Sequence, residues 1–452
     1  MLRRKILSDL LQWKRTDRKS LIITGQRQIG KTYIIDEVFS KEYKSYIRFN
    51  FVKEPRAKEV FSGNLDIDTL ISNISFEKPD SVFLPGNTLI FLDEIQDCPR
   101  ALESLKFWTE DKRYDVIAAG SALSLSYSET MTGISYPVGN VTTLQMHSLD
   151  FEEFLWAIGI QPSSIDALRN SFDTLSKVSP TIDNRMWEYL RLYMVIGGMP
   201  AAVNSYIANH NIADVHNTLL SLLDDYRNHI AIYANPDIRI KAQKCYDSIP
   251  IQLGKDNHKF QYSIVEQKST ATKFGSSIDW LVQQHLVMKV TGLKRIAYPF
   301  ESFTDDSNFR IYPTDIGMLI AMYDISLKTT LVSDNTLESP ATGLILGTAK
   351  GGLFEALAAD ILYKNGYNKL FFYKHEKNTS EIEFLIIRSD SICPIEIKAG
   401  RKKANSLTNI LENNSSIKVG DKEDSSFHRC DSMLSIRISL PSAIKNSLNE
   451  SG

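Results

Sequence analysis

The segment GQRQIGKT, Gly25 to Thr32, places a glycine five residues ahead of a Gly-Lys-Thr triplet. That spacing lets successive backbone N–H groups turn toward one centre at the start of a helix, which makes a cradle for phosphate oxygens. The residues expected to contact a nucleotide are Gly25, Gln26, Arg27, Gln28, Ile29, Gly30, Lys31, Thr32 and Tyr33. Lys31 would meet the β- and γ-phosphates of ATP, and the Thr32 hydroxyl would ligate Mg²⁺. The context fits, with apolar SLIITG before the loop and helical YIIDEVF after it. Further on, TLIFLDEIQ delivers Asp93 to the end of a second apolar strand as a partner for the metal, with Glu94 beside it to polarise an attacking water. Ser121, after VIAAG, either orients that water or simply begins a helix.

A second constellation lies near the C-terminus. GGLFEALAAD carries Glu355 on a helical pattern, SEIEFLII carries Glu381 and Glu383, and CPIEIKAG carries Glu396 and Lys398. Residues two apart in a strand share a face, so Glu396 and Lys398 point the same way, as do Glu381 and Glu383. Taken singly, each acid reads as a solvated strand face. Together, Glu355, Glu383 and Glu396 can converge on a divalent metal, with Lys398 aligning or activating a water.

The elements that must hold these residues follow from hydrophobic patterning. Between residues 20 and 150, five short apolar runs alternate with helical stretches, the mark of a parallel sheet covered on both faces. Residues 156–240 are helical, with GGMPAAV as a turn between helices. Residues 241–330 run helix, helix, helix, β-hairpin, the order of a winged helix-turn-helix, in which Ile278, Leu281 and Val282 share a face of the second helix. Lys255, Lys259, Lys268, Lys273, Lys289, Lys294 and Arg295 make this stretch locally basic. It suits either a helix in a DNA major groove or a protein–protein spacer. Residues 331–452 read as a mixed α/β domain.

Bulk properties narrow the classes. With 452 residues, the chain is long for a single core. A net charge of −2 gives no global sign of nucleic-acid binding, so any such surface must be local. The four cysteines, Cys98, Cys245, Cys393 and Cys430, form no CxxC pair. Their spacing fits a reducing compartment rather than a disulfide framework or a thiolate zinc site. The basic N-terminal stretch lacks the apolar core of a secretory signal, and Leu2, Ile6, Leu10 and Trp13 fall at helical spacing. No apolar run is long enough to span a membrane, so a cytoplasmic location is expected.

Taken in order, GQRQIGKT, LDEIQ, AAGSALS, LDFEEFLWA, GGMPAAV and EIEFL…PIEIKAG resemble a bacterial and archaeal family of AAA-like P-loop ATPases. In that family the P-loop domain is fused to a C-terminal domain of restriction-endonuclease-like (PD-(D/E)xK) fold, and the resemblance runs over nearly the whole chain. It implies domains at 1–155 (AAA-like ATPase), 156–240 (helical lid), 241–330 (winged-helix-like) and 331–452 (nuclease-like). It implies ATP and Mg²⁺ as cofactors, DNA as a partner of the last two domains, no membrane partner, and a surface open to oligomerisation. Two positions depart from the family pattern. Gly139 is followed by Asn140 where many members have arginine, and residue 383 is Glu where the family usually has Asp. Two functional classes therefore stand side by side: an ATPase coupled to a DNA-directed nuclease, and a nucleotide-gated scaffold whose nuclease fold does not cut. A small-molecule kinase fits less well, because the Asp93-Glu94 pair favours water as the phosphoryl acceptor.

Overall fold

The five expected strands are β1 (Ser20–Thr24), β2 (Ser45–Asn50), β3 (Thr88–Asp93), β4 (Asp115–Ala119) and β5 (Val141–Gln145). They form one wholly parallel sheet in the order β2-β3-β4-β1-β5. The structure is a computed structural model that describes residues 2–120, 137, 139–174, 176, 178–255, 257–333, 347, 349–374, 381–388 and 391–397. Within them the chain forms two compact units, Met1–Ser148 and Leu149–Gly452.

In the first unit, β3 is buried along its whole length and Leu21, Ile22 and Ile23 of β1 are inaccessible, which accounts for the unbroken apolar runs. Helix α1 (Ile6–Thr16) buries Ile6, Leu10 and Trp13, the residues at helical spacing. A short helix α2 (Lys31–Tyr33) follows the glycine loop and runs on through π and 3₁₀ turns to Glu42. Helices α3 (Ile67–Glu77) and α4 (Pro99–Asp111) contribute Leu70, Ile74, Leu102, Leu105 and Trp108 to a core shared with Phe49, Phe51 and Phe61. Strand β4 separates β1 from β3, so the loop after β1 and Asp93 at the end of β3 open on the same edge of the sheet.

In the second unit, helix α5 (Phe151–Ala157) starts with a capping box. The Asp150 carboxylate accepts from Glu153 N at 2.8 Å, and Asp150 N donates to the Glu153 carboxylate at 3.2 Å. Helix α6 (Pro180–Ile196) and helix α7 (Pro200–Asn209) are joined by the expected turn. A Cβ on Gly198 would lie 1.9 Å from Leu149 O, so no larger residue fits this contact. Helix α8 (Ile212–Tyr233) and helix α9 (Pro236–Asp247) lead to α10 (Ala271–Gln283), which buries Phe274, Ile278 and Leu281.

The expected β-hairpin follows α10 and pairs beyond itself. Strands β6 (Val287–Leu293) and β7 (Thr304–Pro313) pair antiparallel, but β6 also pairs in parallel with β8 (Leu370–Lys374). With β9 (Glu381–Arg388) and β10 (Ser391–Ile395) they form one mixed sheet, β10-β9-β8-β6-β7. The line drawn at 330/331 between a winged-helix-like and a nuclease-like domain therefore crosses a continuous sheet. The physical reason is an edge: β6 left unpaired on one side would expose a row of backbone hydrogen-bonding groups.

Helices α11 (Ile316–Ala321) and α12 (Ala349–Lys364) close this unit over a buried charged network. Lys364 Nζ lies 2.8 Å from Asp360 Oδ1, 3.0 Å from Asp315 Oδ2 and 3.0 Å from the Tyr193 hydroxyl. Burial disfavours the ammonium, yet the two carboxylates hold its pKa above the ordinary lysine value. Asp315 also caps α11 through Gly317 N (3.0 Å) and accepts from Gly198 N (2.8 Å), so the network fixes the glycine turn as well. Removing the Lys364 ammonium takes from two buried carboxylates the cation that pairs with both. Lys364→Ala should destabilise this unit by about 3–5 kcal/mol in urea unfolding. A loss below about 1 kcal/mol would show that the network contributes no more than an exposed pair.

Candidate functional site

The glycine loop adopts the conformation its sequence calls for. Gly25 (φ 138°) and Gly30 (φ 94°) both lie at positive φ, and Gln28 joins them at φ 62°. A Cβ on Gly25 would meet Met146 O at 2.1 Å, so this glycine is required by a close backbone approach as well as by its dihedral. Ile29 is buried and anchors the loop. Its carbonyl accepts from Arg4 Nη1 at 2.9 Å, while Arg4 Nη2 donates to His147 O at 2.5 Å. Arg4 thus ties the loop to the segment following β5, a role invisible in the motif itself.

Lys31 folds back over the loop. Its Nζ donates to Gly25 O (2.8 Å) and Gln26 O (2.6 Å), two carbonyls that line the concave side. Desolvation lowers the Lys31 pKa to about 8; Glu94 and Asp93 pull it upward and Arg27 pushes it down. The ammonium is thus held by weak acceptors at the place where phosphate oxygens would satisfy it better.

Asp93 is the hub of the opposite wall. The Thr32 hydroxyl lies 3.2 and 3.3 Å from its two oxygens. Arg48 Nη2 donates to Asp93 Oδ2 at 2.8 Å, and Asn50 Nδ2 donates to the same oxygen at 2.9 Å. Arg48 also pairs with Asp36 at 2.6 Å, and Asp36 accepts from the Tyr46 hydroxyl. A hydroxyl and a carboxylate side by side are hard oxygen donors suited to Mg²⁺, so Thr32 and Asp93 fit the cation a nucleotide would bring. Glu94, at positive φ, turns away from the strand, and its carboxylate accepts from Gln96 Nε2 at 2.6 Å. Arg48, Asn50 and Gln96 were not singled out from the sequence. The alternation in SYIRFNF puts Arg48 and Asn50 on one face, but only the adjacency of β2 and β3 brings them to Asp93. Ser121 lies outside the described residues.

The C-terminal acids are arranged only partly as expected. Antiparallel β9 and β10 form the expected hairpin, and the pairing of Ile395 with Phe384 sets Glu396, one residue past the end of β10, beside Glu383. Glu383 Oε2 accepts from Ile397 N at 3.0 Å, fastening that exit to β9. Lys398 lies outside the described residues. Glu355, expected to ligate metal, instead accepts from Arg310 Nη1 (2.7 Å) and the Tyr312 hydroxyl (3.0 Å), and its other oxygen lies 2.9 Å from His258 Nδ1. Burial favours the neutral acid, but Arg310 and His258 hold the Glu355 carboxyl below its ordinary range. Among the described residues, no three His, Cys, Asp or Glu side chains are placed to hold a metal ion.

The basic residues expected to meet DNA are also partly engaged. Lys273 pairs with Glu266, Lys289 lies 4.0 Å from Asp279, and the Arg295 guanidinium sits 4.0 Å over the Phe303 ring. The helix face expected to carry Ile278, Leu281 and Val282 is the packing face: Ile278 and Leu281 are buried and Val282 is half-buried.

Comparison with known proteins bears directly on the glycine loop. Residues 17–155 match an AAA domain. The loop, Asp93 and Glu94 all fall inside that AAA domain, and the match and the geometry together support a P-loop ATPase that binds and hydrolyses nucleotide. Residues 188–329 and 350–439 match two domains of unknown function, DUF8612 and DUF4143. Among solved structures, the chain is similar to a Walker-type ATPase of Pyrococcus abyssi, at 11% identity and a TM-score of 0.43. That similarity covers 71% of this chain and 96% of the other, and is too weak to carry an argument. No curated protein matches. No helix among the described residues is long and apolar enough to cross a membrane.

The lowered pKa of Lys31 has a consequence for binding. Phosphate oxygens favour the ammonium, so ATP binding above about pH 8 must draw in a proton. ATP affinity should therefore fall as pH rises through 8, approaching roughly tenfold per unit. Calorimetry at pH 8.5 in buffers of different ionisation enthalpy should register that uptake, whereas no uptake would contradict a deprotonating Lys31.

Proposed function

We propose that this chain is an Mg²⁺-dependent ATPase whose nucleotide state controls a DNA-directed C-terminal unit. The observation that carries the ATPase reading is the pair of walls around the glycine loop: Lys31 on its carbonyls, and Thr32 against Asp93. In this reading the backbone from Gly25 to Gly30 cradles the phosphates, and Lys31 moves from the loop carbonyls to the β/γ-phosphate oxygens. Thr32 and Asp93 hold the cation, which neutralises charge on those oxygens when bound. Glu94, positioned by Gln96, takes the proton of the attacking water, and Ser121 helps orient that water. The trans or cis arginine common in such ATPases has no counterpart at Asn140, which leaves room for a second copy of the chain to supply one.

For the C-terminal unit, the order Glu355, Glu383, Glu396, Lys398 supports a nuclease-like fold acting on DNA. One observation favours the alternative of a nucleotide-gated scaffold that binds DNA or a protein without cutting. The Glu355 carboxylate already meets Arg310, Tyr312 and His258, three protein partners that a metal would have to compete with.

The test has two arms. ATP turnover should be lost in Lys31→Ala, and unchanged turnover would overturn the ATPase reading. Mixed DNA and RNA substrates should then be offered with Mg²⁺ or Mn²⁺ under each nucleotide condition. No metal-dependent cleavage is expected. Cleavage that disappears in Glu396→Ala and Lys398→Ala would instead establish a working nuclease.

A further inference from the structure

We propose that Arg310 is the resident cation of the C-terminal carboxylate centre, occupying the role that a divalent metal plays in nucleases with this order of acids. The inference rests on the nuclease-like reading of the second unit and deepens its non-cutting form.

Three carboxylates from two elements surround one guanidinium. Arg310, on β7, sends Nη1 to Glu355 of α12 at 2.7 Å and Nη2 to Glu381 of β9. Glu383, which shares a strand face with Glu381, is close enough to stabilise the same charge. The guanidinium lies 4.3 Å over the ring of Phe372 on β8, so the side chain crosses the sheet face with an aromatic floor beneath it. Arg310 is only 3% exposed, and withdrawing it would strand buried carboxylates.

Other donors meet the same acids. Tyr312 shares the Glu355 oxygen bonded by Arg310, His258 takes the other, and Lys374 lies 3.5 Å from Glu381 Oε2. Mg²⁺ demands near-octahedral oxygen ligands and gives up its water reluctantly. A planar guanidinium can satisfy several carboxylates at once, carries a permanent charge and needs no vacant coordination site. Arg310 thus supplies from within the protein the positive charge on which Glu355 and Glu381 meet. The acids keep the order of a metal site while their work is to bind strand, helix and sheet together.

Mn²⁺ uptake by the nucleotide-free full-length chain, followed by electron paramagnetic resonance, tests this directly. An Asp93→Asn background silences the P-loop cation site. With Arg310 in place, no Mn²⁺ should bind in a manner that Glu383→Gln abolishes, and melting in Mn²⁺ should match melting in EDTA. Arg310→Ala should melt lower in EDTA, take up Mn²⁺, and recover thermal stability with it. Adding Glu383→Gln should remove that recovery, and Arg310→Lys, which keeps a cation, should take up none. Glu383-dependent Mn²⁺ uptake with Arg310 present would overturn the inference, as would a folded Arg310→Ala that ignores Mn²⁺. Should Arg310→Ala fail to fold, the Arg310-containing and Arg310→Lys arms still decide it. Glu383-dependent uptake with Arg310 present but without cleavage would sink this inference alone, whereas metal-dependent cleavage would sink the non-cutting reading beneath it.

Discussion

The Asp93 carboxylate is 3% exposed, at the end of a strand that is buried throughout. A carboxylate in that position must be met by donors or a cation, because leaving it bare costs several kcal/mol. Thr32, Arg48 and Asn50 meet it, and two separate requirements of the fold bring them there. Thr32 is there because β1 and β3 end on the same edge with β4 between them. Arg48 and Asn50 are there because β2 pairs with β3 in a register that sets Asn50 opposite Asp93. The loop that aims Thr32 depends in turn on Gly25, where backbone closes on backbone, and on Arg4, which holds the loop from outside.

The second unit meets the same constraint with the same chemical group, in a different setting. The Arg48 side chain is 30% exposed and reaches Asp93 from the rim. Such an arginine can be exchanged for an arriving hydrated cation at small cost. The Arg310 side chain is 4% exposed, stacked on Phe372 and bonded to acids from two elements. Exchange there would require dismantling packed structure. On the proposed reading, the contrast in exposure gives the two sites opposite characters: one a cation site held ready, the other a cation site already filled. A coupled ATPase needs only the first to turn over.

Much of the first unit was legible because its chemistry is local. Gly25, Gly30, Lys31 and Thr32 are contiguous, and the strands on either side are buried on both faces, so apolar runs mark them without ambiguity. Asp93 could be read from the strand it ends. Arg48 could not, because its meaning lies in which strand sits beside which, and strand order leaves no trace in SYIRFNF. The glycine turn at 197–198 was legible for the same local reason. The pairing of the hairpin with β8 was not legible, because β8 lies some eighty residues further on. The C-terminal acids show the limit most clearly: Glu355 reads as a ligand until Arg310, 45 residues upstream, is seen to occupy it.

On the proposed reading, Asp93 and Thr32 await a cation that arrives with nucleotide, with Arg48 holding the place until then. Calorimetric titration of the nucleotide-free chain with Mg²⁺ alone, with ATP in EDTA, and with Mg²⁺–ATP addresses it most directly. The expected result is no binding of Mg²⁺ alone and ATP affinity at least tenfold higher with Mg²⁺, about 1.4 kcal/mol. Mg²⁺ binding without nucleotide, or ATP binding indifferent to Mg²⁺, would contradict it.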